Sequence, residues 1–435
     1  MRAEKAACYD APMRDAPSQA EIAIPGRPVH EPSTDLQIGL LTPLALTSFV
    51  GLLNNFALGP FLPAISDDIG TSVPVLGQVA TATFLMTALG GLLVGPLADQ
   101  LGHRRMILAG LLTTVVSALG TALAPDFTLL LITRMIGGVG GSVASGVPLA
   151  VAGSRFAGDA RRRALSIITA TVAAGAVVGA PLLTSIGAFL SWRYAFGFVG
   201  IVAMLCLVGF ALYFPREGEP VQIRRPGVPV GPGGLLRAYL PLIQDRTMVL
   251  LFGAALLQAI AWTGPFTYLG AFFEEQHGFS TREIGYGYMA TASGFLVGSL
   301  LGGGRLRGIP LVVVFTLSTV SIGVFWAMIL ITGVGPYLSI AMLATLTMVG
   351  GVGRVAFTTL LANVSPAGSA TTMVLNSSTI TLGAALGSLL GGTLISLGGF
   401  RLLGVGLPAF AFTAALLLVF TRHRTRDMAE AESTP

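Results

Sequence analysis

Twelve apolar stretches, nearly all twenty or more residues long and almost free of charge, take up most of the chain, and few folds accommodate that pattern. They fall at roughly 41–63, 74–97, 106–124, 127–151, 164–187 and 194–214, and again at 247–271, 284–304, 309–333, 337–362, 371–398 and 402–421. At 1.5 Å rise per residue, about 20 helical residues cross a hydrocarbon layer ~30 Å thick. The pattern predicts an all-α membrane protein with twelve transmembrane helices. Only 10% of residues are charged, against about a quarter in an average soluble domain, too few to clothe a water-soluble fold of this length. The 57 glycines are dispersed through the apolar runs, as expected where membrane helices pack closely.

Residues 1–37 are polar and proline-bearing and lack the apolar core of a signal peptide, so they read as a disordered cytoplasmic tail. Residues 215–246, rich in Pro, Gly and Arg, read as a cytoplasmic linker. The chain thus divides into a six-helix bundle at 38–214, a second at 247–421 and a carboxyl tail at 422–435, the paired-repeat layout of many transporters. An internal echo supports duplication. Gly91-Leu-Leu-Val-Gly95 in span 2 and Gly294-Phe-Leu-Val-Gly298 in span 8 match at a spacing of 203 residues, and basic residues follow both.

The net charge of +5 would by itself allow nucleic acid as a partner. Its distribution points to a bilayer instead. With the amino terminus inside, 20 basic residues fall in cytoplasmic segments and only Arg193, Arg282 and Arg401 in outer loops. Positive loops are retained in the cytoplasm, so both termini are expected inside the cell membrane.

Two basic residues remain within apolar runs, Arg134 in span 4 and Arg354 in span 10. An arginine at the centre of a spanning helix costs about 2.5–3.5 kcal/mol on insertion scales. Each should therefore face a wet cavity or a polar partner, and Arg354 is close enough to the cytoplasmic end to snorkel. Asn54 and Asn55 in span 1 are suited either to substrate contact or to interhelical bonding. In span 7, Gln258, Trp262, Thr263, Phe266 and Tyr268 supply the polar and aromatic groups of a mostly apolar pocket, or else pack ordinarily. Asn376 in span 11 joins the candidate substrate contacts.

Cys8 and Cys206 are too few and too ill placed for a disulfide framework or a thiolate metal site. No His, Cys and carboxylate constellation lies in or beside the spans, and no phosphate-cradling Gly-x-x-x-x-Gly-Lys loop occurs. Neither an enzyme nor an ATP-driven pump is expected, and no cofactor or metal.

The turn after span 2 reads Gly95-Pro-Leu-Ala-Asp99-Gln-Leu-Gly102-His103-Arg104-Arg105. It resembles the cytoplasmic loop motif of the major facilitator superfamily, with His103 where Arg or Lys is usual. Arg134-Met-Ile-Gly137-Gly138-Val-Gly140 resembles the span 4 pattern of that superfamily's drug-proton antiporters, whose arginine is implicated in proton coupling. Gly175-Ala-Val-Val-Gly179-Ala-Pro181, leading to Ser191-Trp192-Arg193, is similar to the span 5 antiporter motif and the turn after it. Gly383, Gly387 and Gly391 match the family's small-residue packing face in span 11.

The resemblance covers about residues 38–421 and implies two pseudo-symmetric six-helix bundles rocking about a central site. It further implies a monomer that exports a small drug-like molecule against protons, with Asp99, Arg104 and Arg105 as a latch between the halves; the alternatives are an importer or facilitator of a small metabolite, or a non-transporting membrane sensor on the same fold. Many relatives carry an acidic residue in span 1, where this chain has Asn54 and Asn55. That leaves Asp99 as the leading titratable candidate, modulated by Arg134. A lipophilic cation would want a cavity carboxylate, so the expected substrate is a neutral or anionic amphiphile.

Overall fold

The computed structural model describes residues 34–156, 158–214, 239–304, 309–366 and 369–432. The tail at 1–33, the linker at 215–238, Arg305 and Arg307 lie outside the described residues, as do the side chains of Asp99 and of 421–432. The described residues from 39 onward form one compact unit.

The described chain is helical throughout. Its helices are α1 (Thr34–Phe56), α2 (Leu62–Ile69), α3 (Val73–Leu101), α4 (His103–Ala122), α5 (Phe127–Arg155), α6 (Gly158–Phe189), α7 (Trp192–Tyr213), α8 (Arg246–Thr267), α9 (Leu269–His277), α10 (Thr281–Gly304), α11 (Leu311–Thr332), α12 (Pro336–Val364) and α13 (Ser369–Glu432). Eleven segments are long and apolar enough to cross a membrane, and the last of them, Thr371–Phe420, runs for 50 residues. That is about 75 Å of helix, more than twice a bilayer core. It breaks at Gly398 and Gly399, where Gly399 has φ 65° and ψ −163°, a backbone region open essentially to glycine alone. The helix therefore makes two crossings, with arms at 369–397 and 400–432, and the total is twelve.

Local chemistry sets the other boundaries. Asp126, Ser191 and Asp245 accept from the backbone N–H of Leu129, Arg193 and Met248 and so start α5, α7 and α8, supplying acceptors that the first helical turn lacks. Gly70, Gly278 and Gly333 end α2, α9 and α11 in the left-handed conformation. Gly102 (φ 86°) makes the one-residue corner between α3 and α4, a second backbone geometry that a side chain would strain.

Because the crossings alternate, the described termini and the corner at Gly102 share one face, called here the termini side. The far side carries α2, α9 and the break in α13. Span 1 differs from its apolar stretch at 41–63: α1 stops at Phe56, and the chain then turns through a 3-10 helix at Gly59–Phe61 into α2. Apolarity continues through this turn, so hydropathy alone does not reveal it.

The packing repeats itself. In the first six spans α3 packs on α5, and α4 packs on both α5 and α7. In the second six α10 packs on α12, α11 on α12, and α11 on the second arm of α13, through Leu330 against Gly404 and Gly323 against Ala411. Shifting the first set by six spans yields the second. Two pairs of spans join the halves most extensively, α3 with α13 and α6 with α10, beside smaller contacts of α9 and α10 with the Gly59–Phe61 turn and of α9 with α2, and the same shift exchanges the two pairs. That exchange is the signature of a pseudo-two-fold axis.

Candidate functional site

The site is best built from the far side inward, because close approaches between the halves gather there. Tyr268, at the turn between α8 and α9, is fully buried, and its hydroxyl donates to the carbonyl of Ser388 at 2.6 Å. Its ring occupies notches left by Gly77 of α3 and by Gly391 and Gly392 of α13. The backbone of Gly59 and Pro60 lies against Gly270, Gly285 lies against Pro181 and Thr184, and the Arg282 guanidinium sits 4.4 Å over the Phe189 ring. Tyr288 donates to the Phe266 carbonyl at 2.9 Å, with its oxygen also beside Gly59. Together these contacts form a seam that closes the far side. Tyr268, a candidate substrate contact by sequence, is a component of that seam.

On the same side, Asp68 of α2 accepts from Arg193 at 2.7 Å and from the Trp192 indole at 3.2 Å, while Arg193 also donates to the carbonyls of Ala122 and Ala124. The Trp192-Arg193 pair thus ties three far-side loops of the first half together. Glu274 of α9 has its carboxyl held above the usual carboxylate range, by burial and then by the charge of Asp67 in α2 across the seam. His277, 3.2 Å from the Ser339 hydroxyl, is pushed down by burial.

Beneath the seam stands an aromatic wall. Trp262 and Phe266 of α8 lie 5.2 Å apart, ring centre to ring centre, and Phe295 of α10 sits 6.1 Å from Trp262. Trp326 of α11 backs Phe266 edge-on at 5.0 Å. Trp262 reaches α12 at Gly350, where any side chain would collide with its ring. Gln258, one turn nearer the termini side, donates to the Thr319 hydroxyl at 3.0 Å. Gln258, Trp262, Phe266 and Arg354 are all half-buried, as a wall facing an accessible space requires. Phe295 and Trp326 are additions the sequence did not single out. Phe295 stands inside the Gly294–Gly298 echo, which could have flagged it.

Arg134 has a different setting. Its guanidinium is fully buried, donates to the Asn54 side-chain oxygen at 3.0 Å and its carbonyl at 2.6 Å, and lies 5.5 Å from the Phe196 ring centre. Asn54 is in the last turn of α1, where carbonyls lose their helical donors and attract cations. Arg134 and Asn54 therefore pair with each other rather than line an open surface. Nε of Arg134, Nδ2 of Asn54 and the Ser117 hydroxyl have no partner among the described residues. Asn55 packs its amide against Gly141, and Asn376 is buried with its side-chain oxygen unbonded among the described residues.

The motif glycines are packing notches. Gly137 faces Ser117 and Asn54, Gly138 faces Thr83 and Met86, and Gly140 faces Thr114. Gly175 and Gly179 receive Phe49, Leu52 and Leu53 of α1, while Gly383 and Gly387 admit the backbone of α8. In the loop motif, Gly95 has open space where a side chain would stand. Arg104 donates to the carbonyls of Ala211 and Phe214 at the end of α7. It is engaged within its own half in this conformation, and Arg105 is exposed.

A sequence model described as Major Facilitator Superfamily matches residues 44–374. Among curated proteins, an uncharacterized MFS-type transporter of Bacillus subtilis, YceJ, is 26% identical over 58% of this chain and 63% of its own length. A puromycin resistance protein of Streptomyces alboniger is 32% identical over 46% of this chain and 40% of its own. The chain thus aligns with less than two thirds of either relative. Among solved structures, a nucleoside transporter, NupG, superposes with a TM-score of 0.73 over 88% of this chain and 99% of its own, at 12% identity, a likeness of fold alone.

Proposed function

Since the chain belongs to the Major Facilitator Superfamily, we propose that it is a secondary transporter of the cell membrane that exports a small neutral or anionic amphiphile by alternating access, in exchange for protons. The observation that carries this reading is the seam closed on the far side directly above a half-buried aromatic wall. With both termini cytoplasmic, the orientation that the distribution of basic residues favours, this is the conformation that loads from the cell interior. Rocking about the α3–α13 and α6–α10 contacts releases the load outside. The puromycin-resistance name of one relative favours a drug-like substrate and outward transport. The absence of any acidic residue between 284 and 426 argues against a lipophilic cation.

Proton entry supplies enough energy. One proton moving down ~100 mV yields about 2.3 kcal/mol, sufficient for roughly a fifty-fold gradient of a neutral solute. The test is accumulation of neutral, anionic and cationic antibiotics in cells expressing the protein, with and without a protonophore. Exclusion of neutral or anionic compounds, abolished by the protonophore, is expected. Accumulation that rises with expression, or selective exclusion of cations, overturns the reading.

A further inference from the structure

Among the described residues, the Arg354 guanidinium makes no ion pair. No aspartate or glutamate occurs anywhere from 284 to 426, so neither the helix that bears Arg354 nor any later span can supply a counter-ion. Among the described residues, the only side-chain hydrogen bond that involves Arg354 is from the Thr358 hydroxyl, which donates to the Arg354 backbone carbonyl at 2.9 Å, and the Arg354 side chain is half-buried. It sits about 15 Å along α12 from that helix's end on the termini side, within the span rather than at its rim.

Its direction follows from its neighbours. Gly350 of α12 is covered by the Trp262 ring, Gly351 meets the backbone of Phe295, Gly298 and Ser299 in α10, and Gly353 meets Ser318 of α11. At about 100° per residue, position 354 lies between the face that meets Trp262 and the face that meets α10. That is the side on which Trp262 and Phe295 stand 6.1 Å apart. The guanidinium is thus one turn below the aromatic wall, on the side from which the wall is loaded.

A planar cation beside stacked rings matches a particular ligand shape, an aromatic or otherwise apolar body ending in a carboxylate. Guanidinium binds carboxylate through two parallel hydrogen bonds, and a bound carboxylate relieves the cost of holding an unpaired cation within a span. We infer that Arg354 is a specificity-determining residue that selects carboxylate-bearing amphiphiles, binding the carboxylate while Trp262, Phe266 and Phe295 hold the apolar body. This rests on the reading of the aromatic wall as the substrate site. It narrows the neutral-or-anionic class to acids.

The test is calorimetric titration of the full chain, in phosphatidylcholine nanodiscs at neutral pH, with 6-phenylhexanoate and with its uncharged primary amide. The acid is expected to bind at least about tenfold more tightly than the amide, in keeping with a charge-assisted pair. Arg354→Gln should remove that preference while leaving amide binding in place, and Arg354→Lys, which keeps the charge but not the two-bond fork, should keep only part of it. Equal binding of acid and amide, binding of neither, or a preference that survives Arg354→Gln overturns the inference. Nanodiscs doped with phosphatidylglycerol separate a free acid from a lipid headgroup. Unchanged acid binding is expected, and its loss would give the guanidinium to an anionic lipid. If the acid is preferred but cells expressing the protein do not exclude it, export fails and the Arg354 assignment stands.

Discussion

At the scale of single residues, Arg134 shows how a spanning helix can carry a full charge without a carboxylate. Its two hydrogen bonds go to one residue, and the stronger acceptor is a backbone carbonyl left open because α1 stops at Phe56. The sequence marked Arg134 as needing a cavity or a polar partner. It could not say which, because the open carbonyl exists only through a helix end hidden in apolar sequence. Arg134→Ala strips donors from both Asn54 oxygens, and each buried group left unsatisfied costs about 1–3 kcal/mol. The variant should melt several degrees lower in detergent, and an unchanged midpoint would show the pair to be idle. Asn54→Asp places a carboxylate where the 3.0 Å acceptor now stands. It should raise the midpoint relative to Asn54→Ala, because breaking a buried charge pair on one side is far costlier than completing it.

At the scale of elements, most glycines in the recognisable patterns serve as notches between helices, so the patterns and the packing are one phenomenon. Spans, their number and their order were legible in hydropathy, and so was the doubling that the packing repeats. The short helices α2 and α9 were not legible, since apolar residues continue through both turns and only Gly59, Pro60 and Pro265 interrupt them. The aromatic wall was half legible. Gln258, Trp262 and Phe266 share one face of α8 in sequence, whereas Phe295 joins them only through tertiary packing. Gly77 tests the notch principle, because a side chain there would stand where the Tyr268 hydroxyl now lies. Overpacking costs about 1–3 kcal/mol, so Gly77→Val should open the seam. With Cys8 and Cys206 replaced by serine, spin labels at Leu123→Cys and Tyr337→Cys report the far side of each half, where both native residues are exposed. The variant should shift their distance distribution to longer values, and a distribution identical to that of the parent would remove Tyr268 from the seam.

At the scale of the whole molecule, the seam decides which side the site faces, and its rim carries titratable groups contributed by both halves. Glu274 on α9 answers to Asp67 on α2, with Asp68 already paired to Arg193. Closing the far side brings the Glu274 and Asp67 carboxylates together and partly buries Glu274, which raises its proton affinity above the ordinary carboxylate value. By linkage, the closed state then binds a proton more tightly than the open one. Closure is favoured at acid pH and loses that support as pH rises through the raised value. His277 is also shifted, lowered by burial, but the rings that surround it, Phe272, Phe273 and Phe279, belong to its own half, so closure leaves its proton affinity unchanged. Its partner is the Ser339 hydroxyl of its own half. The labels at 123 and 337 should show the short-distance population growing as pH falls toward the ordinary carboxylate range. Glu274→Gln should flatten that response and fix the population near its acid limit, while His277→Gln should leave it unchanged. A response that survives Glu274→Gln intact would place the sensing group elsewhere. Under the proposed function, with the far side outside the cell, an acidic exterior would favour the inward-loading state, the conformation a proton-driven exporter reaches as it takes in its proton.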